Sequence, residues 1–135
     1  MAENKVKKIL FVDDEQAVIG LMKNRLNHMG HQVIIAVNAA QALEKAKREK
    51  PTVIVLDHML PGKKGTEICR DLKADANTRE IPVIMFTAHT SADFEAECVN
   101  AGAVAICYKP DVAELMQYIG RILKGQVLDE WKREE

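Results

Sequence analysis

Five short apolar runs, each followed by a segment with helical spacing, constrain this chain more than any other feature. The runs are Val6 to Val12, Gln32 to Val37, Val53 to Leu56, Val83 to Phe86 and Ala103 to Cys107. Several are β-branched and continuously apolar, as strands covered on both faces must be. The first helical segment carries Val18, Leu21, Met22, Arg25, Leu26 and Met29 and stops at Gly30. The second opens at Asn38 with Gln41 three residues on and closes before Pro51; the third covers about Thr66 to Ala74, with Ile68 and Leu72 inward. The fourth runs from Ser91 to Ala101 before Gly102. The fifth starts with Asp111 and Glu114 in capping-box register and places Leu115, Tyr118, Ile119 and Ile122 on one face. Five βα units in 135 residues predict an α/β fold, a mostly parallel sheet with helices on both faces.

Such a sheet binds ligands beyond the carboxyl ends of its strands. The residues at those ends are Asp13 and Asp14, Asp57, Thr87, and Lys109 followed by Pro110. Each has an ordinary reading taken singly. Aspartate caps helices, Asp57 could start a turn, and Lys109 could be a solvated charge. Together they place three acids, a hydroxyl and an ammonium on one edge. Two carboxylates about 4 Å apart repel by roughly 4 kcal/mol at an effective dielectric near 20. A protein relieves that by raising a pKa or by binding a cation. Clustered oxygens without His or Cys suit a hard divalent ion, and a metal, a lysine and a hydroxyl around one carboxylate make a phosphoryl site.

Composition excludes other classes. Lys plus Arg (19) nearly balance Asp plus Glu (20), so nothing points to nucleic acid or an anionic membrane as main partner. The amino terminus lacks a signal-peptide apolar region and no run reaches the length of a membrane span, which makes the cytoplasm the expected location. Cys69, Cys98 and Cys107 lie far apart without CxxC spacing and read as reduced core residues. His28, His31, His58 and His89 show no i, i+4 metal pair; their plainest reading is at the surface, with His58 and His89 flanking the acidic edge.

The Asp13-Asp14 pair, "VIVLDHMLPGKKG" (53–65), "PVIMFTAH" (82–89) and "YKP" (108–110) resemble the signature of response-regulator receiver domains, the CheY-like superfamily of two-component signal transduction. The resemblance covers about residues 7–123. It implies a flavodoxin-like (βα)5 sheet of order 2-1-3-4-5, a receiver domain over 1–125 and a helical extension or linker start over 126–135. It also implies Asp57 as phosphoacceptor and Mg²⁺ (or Mn²⁺) held by Asp14, Asp57 and the Met59 carbonyl, with Asp13 acting through a metal-bound water. Thr87, the Ala88 amide and Lys109 would hold phosphoryl oxygens, and Lys109-Pro110 would be cis. The implied partners are a sensor histidine kinase or a histidine phosphotransfer protein, an undetermined downstream protein and a second copy in a homodimer. The chain would take phosphoryl from a donor and lose it by its own hydrolysis, which is not the work of a conventional enzyme.

One position departs from the family. An aromatic residue usually stands three before the lysine, and here it is Ile106. Tyr108 shares its strand parity but reads as a packing residue. Output is therefore expected to run through the loop from Thr87 to Ser91. In the tail, Val127, Leu128 and Trp131 can share a helical face. There is no room for an output domain in 135 residues, so the expected entity is a stand-alone receiver or an excised one. Two other classes fit the same edge. An Asp-nucleophile phosphohydrolase lacks its DxD spacing here, and a passive nucleotide- or flavin-binding module lacks a glycine-rich loop after the first strand.

Overall fold

A computed structural model of the chain describes residues 6–126. Five strands, β1 (Lys8–Val12), β2 (Gln32–Ala36), β3 (Val53–Leu56), β4 (Val83–Thr87) and β5 (Ala105–Tyr108), alternate with five helices. These are α1 (Gln16–His28), α2 (Ala39–Glu49), α3 (Gly65–Ala74), α4 (Ala92–Ala101) and α5 (Val112–Leu123). The strands form one parallel sheet in the order β2-β1-β3-β4-β5, as the resemblance implies.

The side-chain period of two divides each strand between two cores. Leu10, Val12, Ile54, Leu56, Met85 and Ile106 face α2, α3 and α4, where Ala42, Ala46, Ile68, Leu72, Phe94 and Cys98 meet them. Ile9, Phe11, Val55, Phe86 and Cys107 face α1 and α5, against Ile19, Met22, Leu26, Leu115, Ile119 and Ile122. The three cysteines are buried thiols in these layers.

Helix starts follow their capping residues. Asn38, Ser91 and Asp111 accept from the backbone N–H groups of Gln41, Phe94 and Glu114 at 2.9, 3.0 and 3.0 Å. At the end of α4, Gly102 takes φ +100° and the Ala103 N–H returns to the Cys98 carbonyl at 3.0 Å. That use of Ala103 explains why β5 begins at Ala105 and runs on to Tyr108 rather than covering Ala103 to Cys107. Helix α1 also differs from its sequence reading. Ile19, Met22 and Leu26 form the buried stripe, while Leu21 and Met29 are 42% and 47% exposed. Leu21 sits a full 100° from Met22, on the solvent side of the stripe.

Ladder bonds continue past the strand ends and bring the following residues level. The Asp13 N–H donates to Ala36 O at 3.0 Å, Asp57 N–H to Val12 O at 3.0 Å, and Lys109 N–H to Thr87 O at 2.9 Å. Among the described residues no helix is long and apolar enough to cross a membrane. The tail reading at Val127, Leu128 and Trp131 lies outside the described residues.

Candidate functional site

All the strand-end residues singled out above meet at one edge. Asp13 and Asp57 are buried, at 1% and 4% exposure, whereas Asp14 stands at the surface. Carboxylate oxygens of Asp13, Asp14 and Asp57 lie within 4.8 Å of one another. Three hard, anionic oxygens that close, with neither imidazole nor thiolate among them, fit a hard divalent cation such as Mg²⁺. Met59, with its carbonyl expected to face the same ion, anchors the loop: its N–H donates to Asp57 Oδ1 at 3.3 Å.

Lys109 is the local cation. Its side chain is only 12% exposed, so it is not the solvated charge of its simplest reading. Its Nζ lies 2.5 Å from Glu15 Oε1, 2.9 Å from Asp13 Oδ2 and 3.5 Å from Asp57 Oδ2. The Asp13 contact is an ion pair whose angles miss those of a hydrogen bond. Lys109-Pro110 is cis. Thr87 is fully buried, and its Oγ1 accepts from the His89 N–H at 3.1 Å. A hydroxyl that accepts there keeps its own proton for another partner. Exposed Ala88 lines a cleft of about 280 Å³ together with Asp14, Glu15, Asp57, Met59 and Lys109.

Burial would lower the Lys109 pKa, but the Glu15 and Asp13 carboxylates beside its ammonium more than reverse this and raise it above the lysine range. Burial raises the Asp13 pKa above 3.8, against the opposing Glu15 N–H and Lys109 and with the help of the Asp57 charge. The folded state therefore holds the Asp13 proton more tightly than the unfolded chain does. That contribution to stability is fully present below 3.8 and is lost as pH rises through the raised folded value. In EDTA, the stability deficit of the native chain relative to Asp13→Asn should shrink as pH falls from 7 into this window. Urea unfolding across pH measures it; saturating Mg²⁺, which favours the carboxylate, should flatten the trend.

Three features were not found from sequence. Gly65 donates its N–H to His58 O at 2.9 Å, and a Cβ there would stand 2.7 Å from the His58 Cα and also strike the Asp57 carbonyl. Gly65→Ala should cost about 1–3 kcal/mol in urea unfolding, because backbone must yield beneath the Asp57 loop. The glycine was visible in "PGKKG", but its need depends on how α3 crosses that loop. Second, the surface reading of His58 is corrected. It is 3% exposed because its ring lies 4.5 Å from that of Phe94 and 5.2 Å from that of His89, which cover it. Third, Glu15 reaches Lys109 across 94 residues of sequence.

At the departing position, Ile106 is buried in the layer under α4. Tyr108 packs against the same layer, half-buried, and its hydroxyl donates to Glu95 Oε2 on α4 at 2.8 Å.

A family model described as response regulator receiver domain matches residues 9–120. The response regulator PleD of Caulobacter vibrioides is 34% identical over 130 residues, which are 95% of this chain and 29% of that protein. Among solved structures, a CheY-like response regulator receiver domain protein from Methanospirillum hungatei superimposes with a TM-score of 0.83 at 31% identity, over 90% of this chain and 97% of that one. The receiver domain of the sensor histidine kinase PA1611 from Pseudomonas aeruginosa gives 0.80 at 27% identity, covering 89% and 99%; that structure has a magnesium ion coordinated in its active-site cleft. The chain spans about a third of the length of PleD and of the alkaline phosphatase synthesis regulator PhoP of Bacillus subtilis.

Proposed function

The chain belongs to the response regulator receiver domain family, and on that premise we propose that it is switched by transfer of one phosphoryl group to Asp57. The observation that carries this reading is the position of Asp57: buried in a cleft, within 4.8 Å of two further carboxylates and 3.5 Å from the Lys109 ammonium. In the reaction, an Asp57 carboxylate oxygen attacks the phosphorus of a phosphohistidine on a sensor histidine kinase or a histidine phosphotransfer protein. The P–O bond forms as the P–N bond breaks, and the departing imidazole takes up a proton.

Asp13, Asp14, Asp57 and the Met59 carbonyl are the groups that would hold Mg²⁺ or Mn²⁺. When bound, the ion supplies positive charge that lets a phosphoryl dianion approach these acids. Lys109 pairs with one phosphoryl oxygen, the Thr87 hydroxyl donates to another, and the Ala88 N–H to the same group. Ala88 has only a methyl side chain, which leaves the cleft open to the water that later hydrolyses the acyl phosphate. This chemistry belongs in the cytoplasm, where kinase and divalent ion are both available. The β4-to-α4 loop, Thr87 to Ser91, carries the output, since the His89 N–H on Thr87 Oγ1 and the His58–His89–Phe94 rings tie it to both the acceptor loop and α4. The downstream protein, or a second copy of the chain, reads that loop.

Intact mass after incubation with acetyl phosphate and Mg²⁺ tests the reading. One added phosphoryl group, located on the peptide containing Asp57 and lost in EDTA, supports it. A folded chain that remains unloaded from both acetyl phosphate and a phosphorylated histidine donor overturns it.

A further inference from the structure

The nearest partner of Lys109 is none of the clustered aspartates but Glu15, at 2.5 Å against 2.9 Å for Asp13 and 3.5 Å for Asp57. Glu15 stands at the amino-terminal boundary of α1, where a side chain would ordinarily cap the helix, yet it makes no such bond. Its backbone does the local work: the N–H donates to Asp13 Oδ1 at 2.9 Å and the carbonyl accepts from Ile19 N–H at 3.0 Å. The carboxylate, 58% exposed, is left to cross the mouth of the cleft to Lys109. Both residues line that cleft beside Asp57 and Ala88.

Resting on the reading of Asp57 as acceptor, we propose that Glu15 is a positioning residue that competes with the incoming phosphoryl group for Lys109. A cation among Asp13, Asp14 and Asp57 relieves their mutual repulsion but leaves Glu15, which is outside that cluster, still paired with the ammonium. A phosphoryl dianion must then draw Lys109 from Glu15 and settle beside an unpaired carboxylate. Loading is slowed most for anionic donors in dilute salt, where the Glu15 charge is least screened. A kinase that covers or pairs Glu15 as it docks removes this barrier, which makes Glu15 a discriminator against small anionic phosphodonors.

The test compares the native chain with Glu15→Gln, which keeps shape and backbone bonds while removing the charge, and Glu15→Asp, which keeps the charge. Mg²⁺ affinity of each is first determined by direct titration, and uptake from acetyl phosphate is followed by intact mass at saturating Mg²⁺ over a range of ionic strengths. The expected result is roughly five-fold faster uptake by Glu15→Gln in dilute salt, shrinking toward parity in concentrated salt, with Glu15→Asp retaining the salt dependence of the native chain. Beryllofluoride, an anionic phosphoryl mimic, should likewise bind Glu15→Gln about five-fold more tightly in dilute salt. Equal rates and salt slopes for the native chain and Glu15→Gln, or slower loading of Glu15→Gln, would overturn the proposal while leaving Asp57 as acceptor. Failure of both the native chain and Glu15→Gln to load from acetyl phosphate and from a phosphorylated histidine donor would instead overturn the acceptor reading.

Discussion

Asp57→Asn is expected to abolish phosphoryl uptake and, in metal-free buffer, to stabilise the fold. The loss is complete because a neutral amide is a far weaker nucleophile than a carboxylate, and Asp13, the other buried carboxylate beside Lys109, has its Oδ1 held by the Glu15 N–H. The gain follows from charge. Asp57, at 4% exposure, shares its surroundings with Asp13 and Asp14, and one ammonium at 3.5 Å cannot balance three carboxylates. Removing one anion should add about 1–2 kcal/mol, a net of like-charge repulsion relieved and some attraction to Lys109 forgone. Intact mass reads the first effect and thermal unfolding in EDTA the second. A variant that still takes up phosphoryl would displace Asp57 from its role; one less stable than the native chain would mean that Lys109 outweighs the acids.

Lys109→Met should have the opposite effect on stability. The substitution leaves Asp13 and Asp57 buried without their cation, a situation that costs on the order of 3 kcal/mol. Mg²⁺ should restore much of that loss by supplying the missing charge, so the variant gains more stability from Mg²⁺ than the native chain does. Phosphoryl uptake should stay low even at saturating Mg²⁺, because no ammonium meets the transferred group. Urea unfolding with Mg²⁺ and with EDTA, beside uptake followed by mass, separates the two roles. Equal destabilisation under both conditions would show that the charge set against the buried acids is not what the variant loses, the Lys109 ammonium also lying 5.9 Å from the Phe86 ring centroid.

Sequence carried the sheet and the acidic edge well, and for one reason. In a parallel sheet the residue after each apolar run is placed by the run itself, so Asp13, Asp57 and Lys109 could be located without knowing a single tertiary contact. Val53–Leu56 and Val83–Thr87 are buried at every position, and no other element type explains such short runs. Contacts between side chains far apart in sequence were illegible. Glu15 reads as one more acid beside a pair, and nothing local foretells a lysine 94 residues away. His58 reads as a surface residue because its cover, His89 and Phe94, comes from the loop after β4 and from α4, more than 30 residues away. The phase of α1 was misjudged because Leu21 and Met22 are both apolar, and only the packed sheet decides which one turns inward.

The two borders of the sheet are unequal in consequence. Strand β2, at one border, supplies no member of the cleft, whereas β5, at the other, delivers Lys109 directly after Tyr108. Fraying of β2 would cost packing and leave the chemistry in place. Fraying of β5 would withdraw the ammonium and loosen the Tyr108 hydroxyl from Glu95 in one motion. Whatever occupies the cleft therefore ties the ends of β1, β3 and β4 to the β5 margin, and that margin stiffens while the β2 margin keeps its freedom.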